Sequence, residues 1–136
     1  MIKLIVGPKG SGKTKRLIAL ANEEALEEKG SVVFVDNNND YMYSVSSKAR
    51  FVNVTDYHID SIRTLYGFIC GMLSQNFDIT TVYIDAFFKI IGKPNPDLKE
   101  FFEVLEQLSI ENNVDLVLNL SCQKDELPEQ LHRFII

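Results

Sequence analysis

A stretch of eight residues at positions 7–14 combines three glycines, two lysines, a serine and a threonine in one short segment. In order, its residues are Gly7, Pro8, Lys9, Gly10, Ser11, Gly12, Lys13 and Thr14. Glycines allow the backbone to curl so that successive N–H groups point inward, toward phosphate oxygens. Lys13 adds a positive charge, and Thr14 opens the following helix with its hydroxyl placed for a Mg²⁺ ion that the phosphates hold. The pattern predicts a phosphate-binding loop in which all eight residues contact the ligand.

The sequence on both sides of this loop supports the same prediction. Residues 1–6 form a short apolar run that is typical of a buried parallel strand. Residues 13–29 carry apolar side chains at helical spacing, namely Leu17, Ile18, Leu20, Ala21, Ala25 and Leu26. Strand, loop and helix therefore follow one another in the order that a phosphate-binding loop requires.

Length and composition favour a single cytoplasmic domain spanning residues 1–136. A chain of 136 residues with 46% hydrophobic content can bury one core, and its net charge of -5 argues against nucleic acid as a partner. No apolar run approaches a membrane span or a secretory signal, so we expect no membrane association. The cysteines and histidines are isolated in sequence, which favours reduced structural thiols and surface or capping imidazoles at Cys70, Cys122, His58 and His132.

Strands and helices alternate along the rest of the chain, which predicts an α/β fold with a parallel sheet covered on both faces. Besides residues 1–6, we predict strands at 31–36, 81–85, 115–120 and 133–136, and a short extra edge strand at 50–54. Gly30 lies where the first helix would need a C-cap glycine. A second helix is predicted from a cap at Asp60 or Ser61 to Leu73, and a third from Pro96 with Asn95 as its cap.

Two connecting segments have unusual compositions. Residues 41–49 are polar and without a clear period, which is consistent with a mobile flap. Residues 86–91 are apolar for a connection, and Phe87 and Phe88 allow two interpretations. Either they form a short turn packed beneath the third helix, or they form, with Ile90, an exposed patch that binds a protein partner or a second copy of the chain.

Polar residues lie at the ends of three predicted strands. Asp36 ends the second strand, Asp85 ends the third, and Asn119 and Ser121 lie at the end of the fourth. In open α/β sheets ligands bind outside the carboxyl ends of the strands, so these side chains are candidates for the same site. A carboxylate at the end of a strand beside the loop can hold Mg²⁺ opposite Thr14, which predicts Thr14 and Asp85 as the metal ligands.

Residues 7–14 and 82–85 resemble the Walker A and Walker B motifs of the P-loop nucleoside triphosphatase superfamily. The whole chain is also similar to short stand-alone bacterial P-loop proteins described as ATP-binding or twitching-motility-like, although it lacks the additional domains of a motor. The resemblance implies ATP and Mg²⁺ as cofactors. A single polar-ended strand after the second motif resembles the RecA-like branch, which implies a three-layer sandwich with a five-stranded sheet in the order 5-1-4-3-2, where 133–136 is the fifth strand.

The resemblance also implies a catalytic set. In the RecA-like branch Asn119 or Ser121 would be the sensor of the terminal phosphate, and Lys13 would act on that phosphate. The Glu that orients water in many relatives is replaced by Ala86 after Asp85, which leaves Asp36, one methylene shorter than Glu, as the candidate base. No arginine finger is evident, and Lys124 is the only cation just beyond the fourth strand.

Three functions remain open from the sequence. The first is binding of Mg-ATP with slow hydrolysis or a nucleotide-switch role; GTP is disfavoured because residues 85–88 and 123–126 match the guanine-protein motifs poorly. The second is a small-molecule kinase that would hold its acceptor with Asp36 and residues 37–58, although no arginine-bearing lid is evident. The third is a non-enzymatic module in which nucleotide stabilises a partner-binding surface at Phe87 and Phe88.

Overall fold

A five-stranded, all-parallel sheet forms the middle layer of the protein in the computed structural model, which describes residues 1–93 and 96–136. The spatial order of its strands is β1-β5-β4-β2-β3. Their bounds are β1 (Ile2–Gly7), β2 (Ser31–Asp36), β3 (Arg50–Asn53), β4 (Ile79–Ile84) and β5 (Asp115–Ser121). The strands are rich in Val, Ile and Leu and are buried on both faces, which is the pattern of a central parallel sheet.

Helices cover both faces of this sheet, as the sequence predicts. Their bounds are α1 (Lys13–Glu27), α2 (Ile62–Gln75), α3 (Phe87–Ile91) and α4 (Leu98–Asn112). On one face α1 buries Leu17 and Ala21 against Phe34 of β2. On the other face α2, α3 and α4 share a larger core that includes Leu65 and Phe102. The fold is therefore a three-layer α/β sandwich, and none of the helices in the described residues is long and apolar enough to cross a bilayer.

The four strands β1-β5-β4-β2 lie in the predicted order, and the short extra edge strand predicted at 50–54 is confirmed, whereas the edge beside β1 differs from the prediction. The segment predicted as a strand at 133–136 contributes only a single parallel bridge, between Leu4 and Ile135, beside β1. Residues Glu129–Phe134 instead form a 3-10 helix, which buries the side chains of Leu131 and Phe134. The short segment Arg50–Asn53 is the fifth strand, paired with β2 at the opposite edge.

Two helix boundaries and one residue of a predicted buried face differ from the prediction. Helix α1 ends at Glu27, and Glu28 takes the left-handed conformation with φ 50°, so Gly30 is not the cap of this helix. Helix α4 begins at Leu98 after Asp97, so Pro96 is not its first residue, and the predicted cap Asn95 lies outside the described residues. Exposure of the Leu26 side chain is a third difference from the predicted buried face of α1.

The sequence left Asp60 and Ser61 as candidate caps of α2, and the structure shows that the cap is Ser61. The Ser61 hydroxyl accepts a hydrogen bond from the Thr64 N–H at 3.1 Å, while the Thr64 hydroxyl accepts from the Ser61 N–H at 3.0 Å. This reciprocal pair satisfies N–H groups that the first turn of a helix leaves unpaired.

The apolar segment 86–91 is packed inside the protein rather than exposed. Ala86 adopts a left-handed conformation with φ 55°, which turns the chain directly into α3. Phe87 is fully buried, with its ring centroid 5.7 Å from that of Phe102, and Ile90 is also buried. The interpretation as a turn packed beneath the third predicted helix is confirmed. The predicted exposed patch of Phe87, Phe88 and Ile90 is wrong for Phe87 and Ile90, which are buried, whereas Phe88 is half-buried with the Lys93 ammonium 5.0 Å from its ring centroid.

Residues 41–49 form a series of turns that docks on α1. The Asn22 amide donates to the Ser44 carbonyl at 2.9 Å and its oxygen accepts from the Ser46 N–H at 2.7 Å. Val45 is buried in the core on the α1 face, and Lys48 forms an ion pair with Glu28. These contacts anchor the segment, so it is not the free flap that its polar composition suggested.

The cysteines and histidines lie where isolated residues of these types are expected. Cys70 is half-buried and Cys122 is buried, and both are free thiols. His58 is exposed at the end of a 3-10 turn, whereas His132 Nε2 lies 2.8 Å from the Lys124 carbonyl oxygen.

Candidate functional site

The 7–14 loop leaves the end of β1 and curls back before α1 begins. The Ser11 N–H donates to the Pro8 carbonyl at 3.2 Å, which closes a tight turn. Gly10 and Gly12 have φ of +83° and +87°, and a Cβ at either would meet no atom within 4 Å. Glycine is required there by backbone conformation. At Gly7 a Cβ would lie 2.8 Å from the Ser11 hydroxyl oxygen, so a larger residue there would force that hydroxyl to rotate away.

The start of α1 presents unpaired hydrogen-bond donors to this loop. Gly12 is the N-cap, no side chain in the described residues caps the helix, and its first turn holds no acidic residue. The N–H groups of the first turn and the positive end of the helix dipole are therefore available to an anion. The Lys13 ammonium donates to the Pro8 carbonyl at 2.9 Å, and burial lowers the pKa of Lys13 while the Asp85 carboxylate opposes that shift.

The loop opens on a cavity of about 560 Å³ at the carboxyl ends of the strands. The cavity is lined by Lys9, Gly10, Gly12, Lys13 and Thr14 of the loop and by all four polar residues predicted at strand ends, Asp36, Asp85, Asn119 and Ser121. Gly7, Pro8 and Ser11 do not line it. The parallel topology explains this convergence, because it brings every carboxyl end to one edge of the sheet.

Asp85 is the centre of the polar network in this cavity. Its Oδ2 accepts a hydrogen bond from the Thr14 hydroxyl at 3.0 Å, and its Oδ1 accepts from the Asn119 amide at 3.1 Å and from the Ala86 N–H at 2.9 Å. The pairing of Ile84 with Leu118 in neighbouring strands places Asp85 and Asn119 at the same level. The carboxylate is 7% exposed and held by three donors, so it points toward Thr14 in a fixed orientation.

Thr14 and Asp85 have the chemistry of a partial magnesium site. In the described residues no group of three or more His, Cys, Asp or Glu side chains could hold a metal by itself. Mg²⁺ is commonly bound by one or two protein oxygens, with water and phosphate oxygens completing its shell. A hydroxyl and a carboxylate whose oxygens lie 3.0 Å apart beside the 7–14 loop fit that mode of binding.

Asp36 is buried in the floor of the cavity and is only partly hydrogen-bonded. Its side chain is 1% exposed; Oδ1 accepts from the Asn37 N–H at 2.8 Å, and Oδ2 has no partner in the described residues. Burial raises the pKa of Asp36 to about 6; the Asn37 amide opposes the rise, and the negative charge of Asp85 adds to it. A carboxyl group with such a pKa can take up a proton near neutral pH, as a general base must.

Asn119 and Ser121, the two sensor candidates, differ in their surroundings. Asn119 is buried, its amide nitrogen is engaged with Asp85, and its Oδ1 has no partner in the described residues. Ser121 is exposed, and its carbonyl accepts from the Lys93 ammonium at 3.2 Å. The observed contact of Asn119 orients the Asp85 carboxylate. Both residues line the cavity.

Two lining lysines, Lys15 and Lys89, belong to no site predicted from the sequence, whereas Asn38, Asp40 and Tyr41 fall within the 37–58 segment that the kinase hypothesis assigned to the acceptor. Lys89 belongs to the segment 86–91, whose apolar character suggested either a packed turn or a partner-binding patch, and neither interpretation included this lysine. Its position between the buried side chains of Phe87 and Ile90 is the signal that identifies it, because a charged residue in a buried turn must point outward. Lys124, the cation expected beyond the last strand, does not line the cavity.

No protein-family model matches this sequence, and no curated protein matches it. An assignment of function therefore rests on the geometry and chemistry of the cavity itself.

Proposed function

We propose that this protein binds Mg-ATP, with the 7–14 loop around the phosphates, and hydrolyses it slowly. The observation that carries the proposal is the hydrogen bond of 3.0 Å between Thr14 and Asp85 beside an uncapped helix and a glycine-rich loop. This arrangement brings anion donors and a partial magnesium site to the same cavity. The two free cysteines fit a cytoplasmic location, where thiols stay reduced and ATP is available.

Each part of the loop has a distinct task in this proposal. The N–H groups of the curled backbone and of the first turn of α1 bind phosphate oxygens. Lys13 exchanges its hydrogen bond to Pro8 for one to a phosphate oxygen, which requires only rotation of the lysine side chain. Thr14 and Asp85 would hold Mg²⁺, which, when bound, neutralises phosphate charge and orients the terminal phosphate.

Slow hydrolysis follows from an incomplete catalytic set. Three carboxylates among the described residues line the cavity, namely Asp36, Asp40 and Asp85. Of these, Asp36 has a pKa of about 6, which suits it to accept a proton from water. Ala86 occupies the position after Asp85 and cannot orient a water molecule. Phosphoryl transfer depends on positioning and charge stabilisation, so we expect loss of an orienting group to slow turnover more than binding.

Titration calorimetry with Mg-ATP tests the binding. We expect Lys13→Ala to weaken affinity by about 10- to 100-fold, the effect of removing a charge-assisted hydrogen bond. Lys29→Ala is the matched control, because Lys29 is an exposed lysine just beyond the C-terminal end of α1, away from the loop, with its ammonium paired to Glu27. Asp85→Asn should weaken the binding of Mg-ATP more than that of ATP in EDTA. Unchanged affinity in Lys13→Ala would refute the proposal.

A small-molecule kinase is the second candidate, and a specific observation favours it. Asp36 Oδ2 and Asn119 Oδ1 are buried acceptors without a donor in the described residues. Buried polar atoms of native proteins normally have partners, so a hydroxyl or amine of an acceptor, or water, fits there. Phosphate release measured with and without a panel of small alcohols and amines separates the two functions. Stimulation by one acceptor, with its phosphorylated product, would indicate the kinase.

A further inference from the structure

We propose that Lys89 supplies the positive charge that stabilises the terminal phosphate of the nucleotide during its transfer, a task for which the sequence offers no arginine. This inference rests on the proposed binding of Mg-ATP, and it assigns a catalytic role to a residue outside the loop. The geometry behind it is the position of Lys89 on the wall of the same cavity as Lys13, Thr14 and Asp36.

Helix α3 holds Lys89 in place despite being only five residues long. Three of its side chains, Phe87, Ile90 and Ile91, are buried in the core shared with α4. Phe87 also packs against the ring of Phe101, with centroids 5.7 Å apart. The helix cannot rotate without exposing these side chains, so the exposed Lys89 stays at the cavity.

The ammonium of Lys89 is free to bind a ligand. It makes no hydrogen bond or ion pair with any described residue, whereas the neighbouring Lys93 is engaged with the Ser121 carbonyl at 3.2 Å and with Glu126 at 3.2 Å. The other lysines that line the cavity in the described residues, Lys9, Lys13 and Lys15, all belong to the loop and the start of α1. Lys89 therefore brings charge to the cavity from a separate element.

The positive charge of Lys89 acts on the pKa of Asp36. Burial raises the pKa of Asp36 and the charges of Asp85 and Asp40 add to the rise, whereas the Asn37 amide and the positive charge of Lys89 oppose it. Lys89 and the candidate base Asp36 also line the same cavity, so both face the same reaction centre.

In the proposed hydrolysis step, the proton and the negative charge each have a defined acceptor or partner. The oxygen of water bonds to the γ-phosphorus, and the bond from that phosphorus to the β–γ bridging oxygen breaks with its electron pair passing to ADP. The proton of the attacking water passes to the Asp36 carboxylate. Negative charge on the γ-phosphoryl and bridging oxygens is stabilised by the Lys89 ammonium, which stays protonated throughout.

The test compares the wild type with Lys89→Ala, Lys89→Arg and the control Lys124→Ala. Lys124 is an exposed lysine that does not line the cavity, so its variant removes the same charge elsewhere. Three quantities are measured for each: the Kd for Mg-ATP, the single-turnover rate of hydrolysis, and the Kd for Mg-ADP with aluminium fluoride, which mimics the phosphoryl group in flight.

We expect Lys89→Ala to lower the hydrolysis rate and the affinity for the aluminium fluoride complex by about 100-fold each, the scale of losing one transition-state donor. Its Kd for Mg-ATP should stay within about threefold, because the interaction is made in the transition state. Lys89→Arg should restore most of the loss. The acidic limb of the pH–rate profile of Lys89→Ala should move to higher pH, because the pKa of Asp36 rises when the opposing charge is removed.

Two results would overturn the inference by different routes. Failure of the wild type to bind Mg-ATP removes the proposed function and this inference with it. Normal Mg-ATP binding in all variants, with an aluminium fluoride affinity in Lys89→Ala equal to that of the wild type, removes the role of Lys89 alone. The affinity for Mg-ADP with aluminium fluoride tests the role of Lys89 even if turnover is too slow to follow, because this measurement requires no hydrolysis.

Discussion

Replacing Asp36 by Asn should stabilise the protein at neutral pH and have a smaller effect in acid. The carboxyl group is 1% exposed, and one of its oxygens lacks a partner in the described residues. The ionised carboxylate of Asp36 therefore has a higher free energy in the folded state than in the unfolded chain, where water hydrates it. An amide of nearly the same shape keeps the hydrogen bond from Asn37 and removes the charge.

The magnitude follows from the pKa of Asp36, which is raised from 3.8 to about 6. At about 1.4 kcal/mol for each tenfold change in proton affinity, the charged form destabilises the folded state by about 3 kcal/mol above pH 7. The folded state binds the proton more tightly, so this destabilisation is absent below pH 3.8 and develops as pH rises to about 6. The new amide nitrogen also lacks a partner, which reduces the net gain at neutral pH to about 1–2 kcal/mol.

Urea unfolding of the wild type and Asp36→Asn at pH 4.5 and pH 7.5 measures this difference. We expect the stability difference between the two proteins to increase by about 2 kcal/mol from the lower to the higher pH. The matched control is Asp125→Asn, an exposed carboxylate outside the cavity, whose stability difference from the wild type should hardly change. The same Asp36→Asn protein should bind Mg-ATP and lose most of its hydrolysis, if Asp36 is the base.

A stability difference that stays constant within about 0.5 kcal/mol between the two pH values would refute the reasoning, because it would mean that Asp36 titrates alike in both states. Destabilisation by Asp36→Asn of the same size at both pH values would indicate instead that its role is a hydrogen bond.

Two further predictions concern packing. Gly30→Ala should destabilise the protein by about 1–3 kcal/mol, because its Cβ would lie 2.4 Å from Thr80 Cγ2. Gly71→Ala, in the exposed part of α2, should instead stabilise the protein by about 0.5–1 kcal/mol. Equal urea midpoints for the two variants would contradict this prediction. Phe87→Ala should destabilise by about 3–5 kcal/mol in the same assay, because its fully buried ring packs against Phe102; a loss below about 1 kcal/mol would mean that α3 is not anchored as described.

Features governed by short stretches of sequence could be predicted without the structure. The glycines of the 7–14 loop, the periodicity of α1 and the apolar strands depend on residues close together in the chain, so the loop and the strand–helix alternation were recognisable. The contact between Thr14 and Asp85 was also predictable, because a parallel sheet brings the carboxyl ends of its strands to one edge. That rule needed only the order of the elements.

Only the tertiary structure decided features that depend on distant parts of the chain. The segment predicted as a strand at 133–136 is not an edge strand, because residues Glu129–Phe134 form a 3-10 helix that buries Leu131 and Phe134, and only a single bridge joins this segment to β1. Gly30 is required by the approach of Thr80, which lies 50 positions further along the sequence.

The same holds for the chemistry of the cavity. The sequence placed Asp36 at a strand end, but its raised pKa results from burial and from the negative charge of Asp85, and the positive charge of Lys89 opposes the rise; both charges belong to other elements. For the segment around Lys89 the sequence left a packed turn and a partner-binding patch open, and only the structure shows that this lysine lines the cavity. Local sequence patterns determine which helices and strands form. The burial of a side chain and the charges around it depend on residues from distant parts of the chain that folding brings together, and these two quantities set the chemical properties of the site.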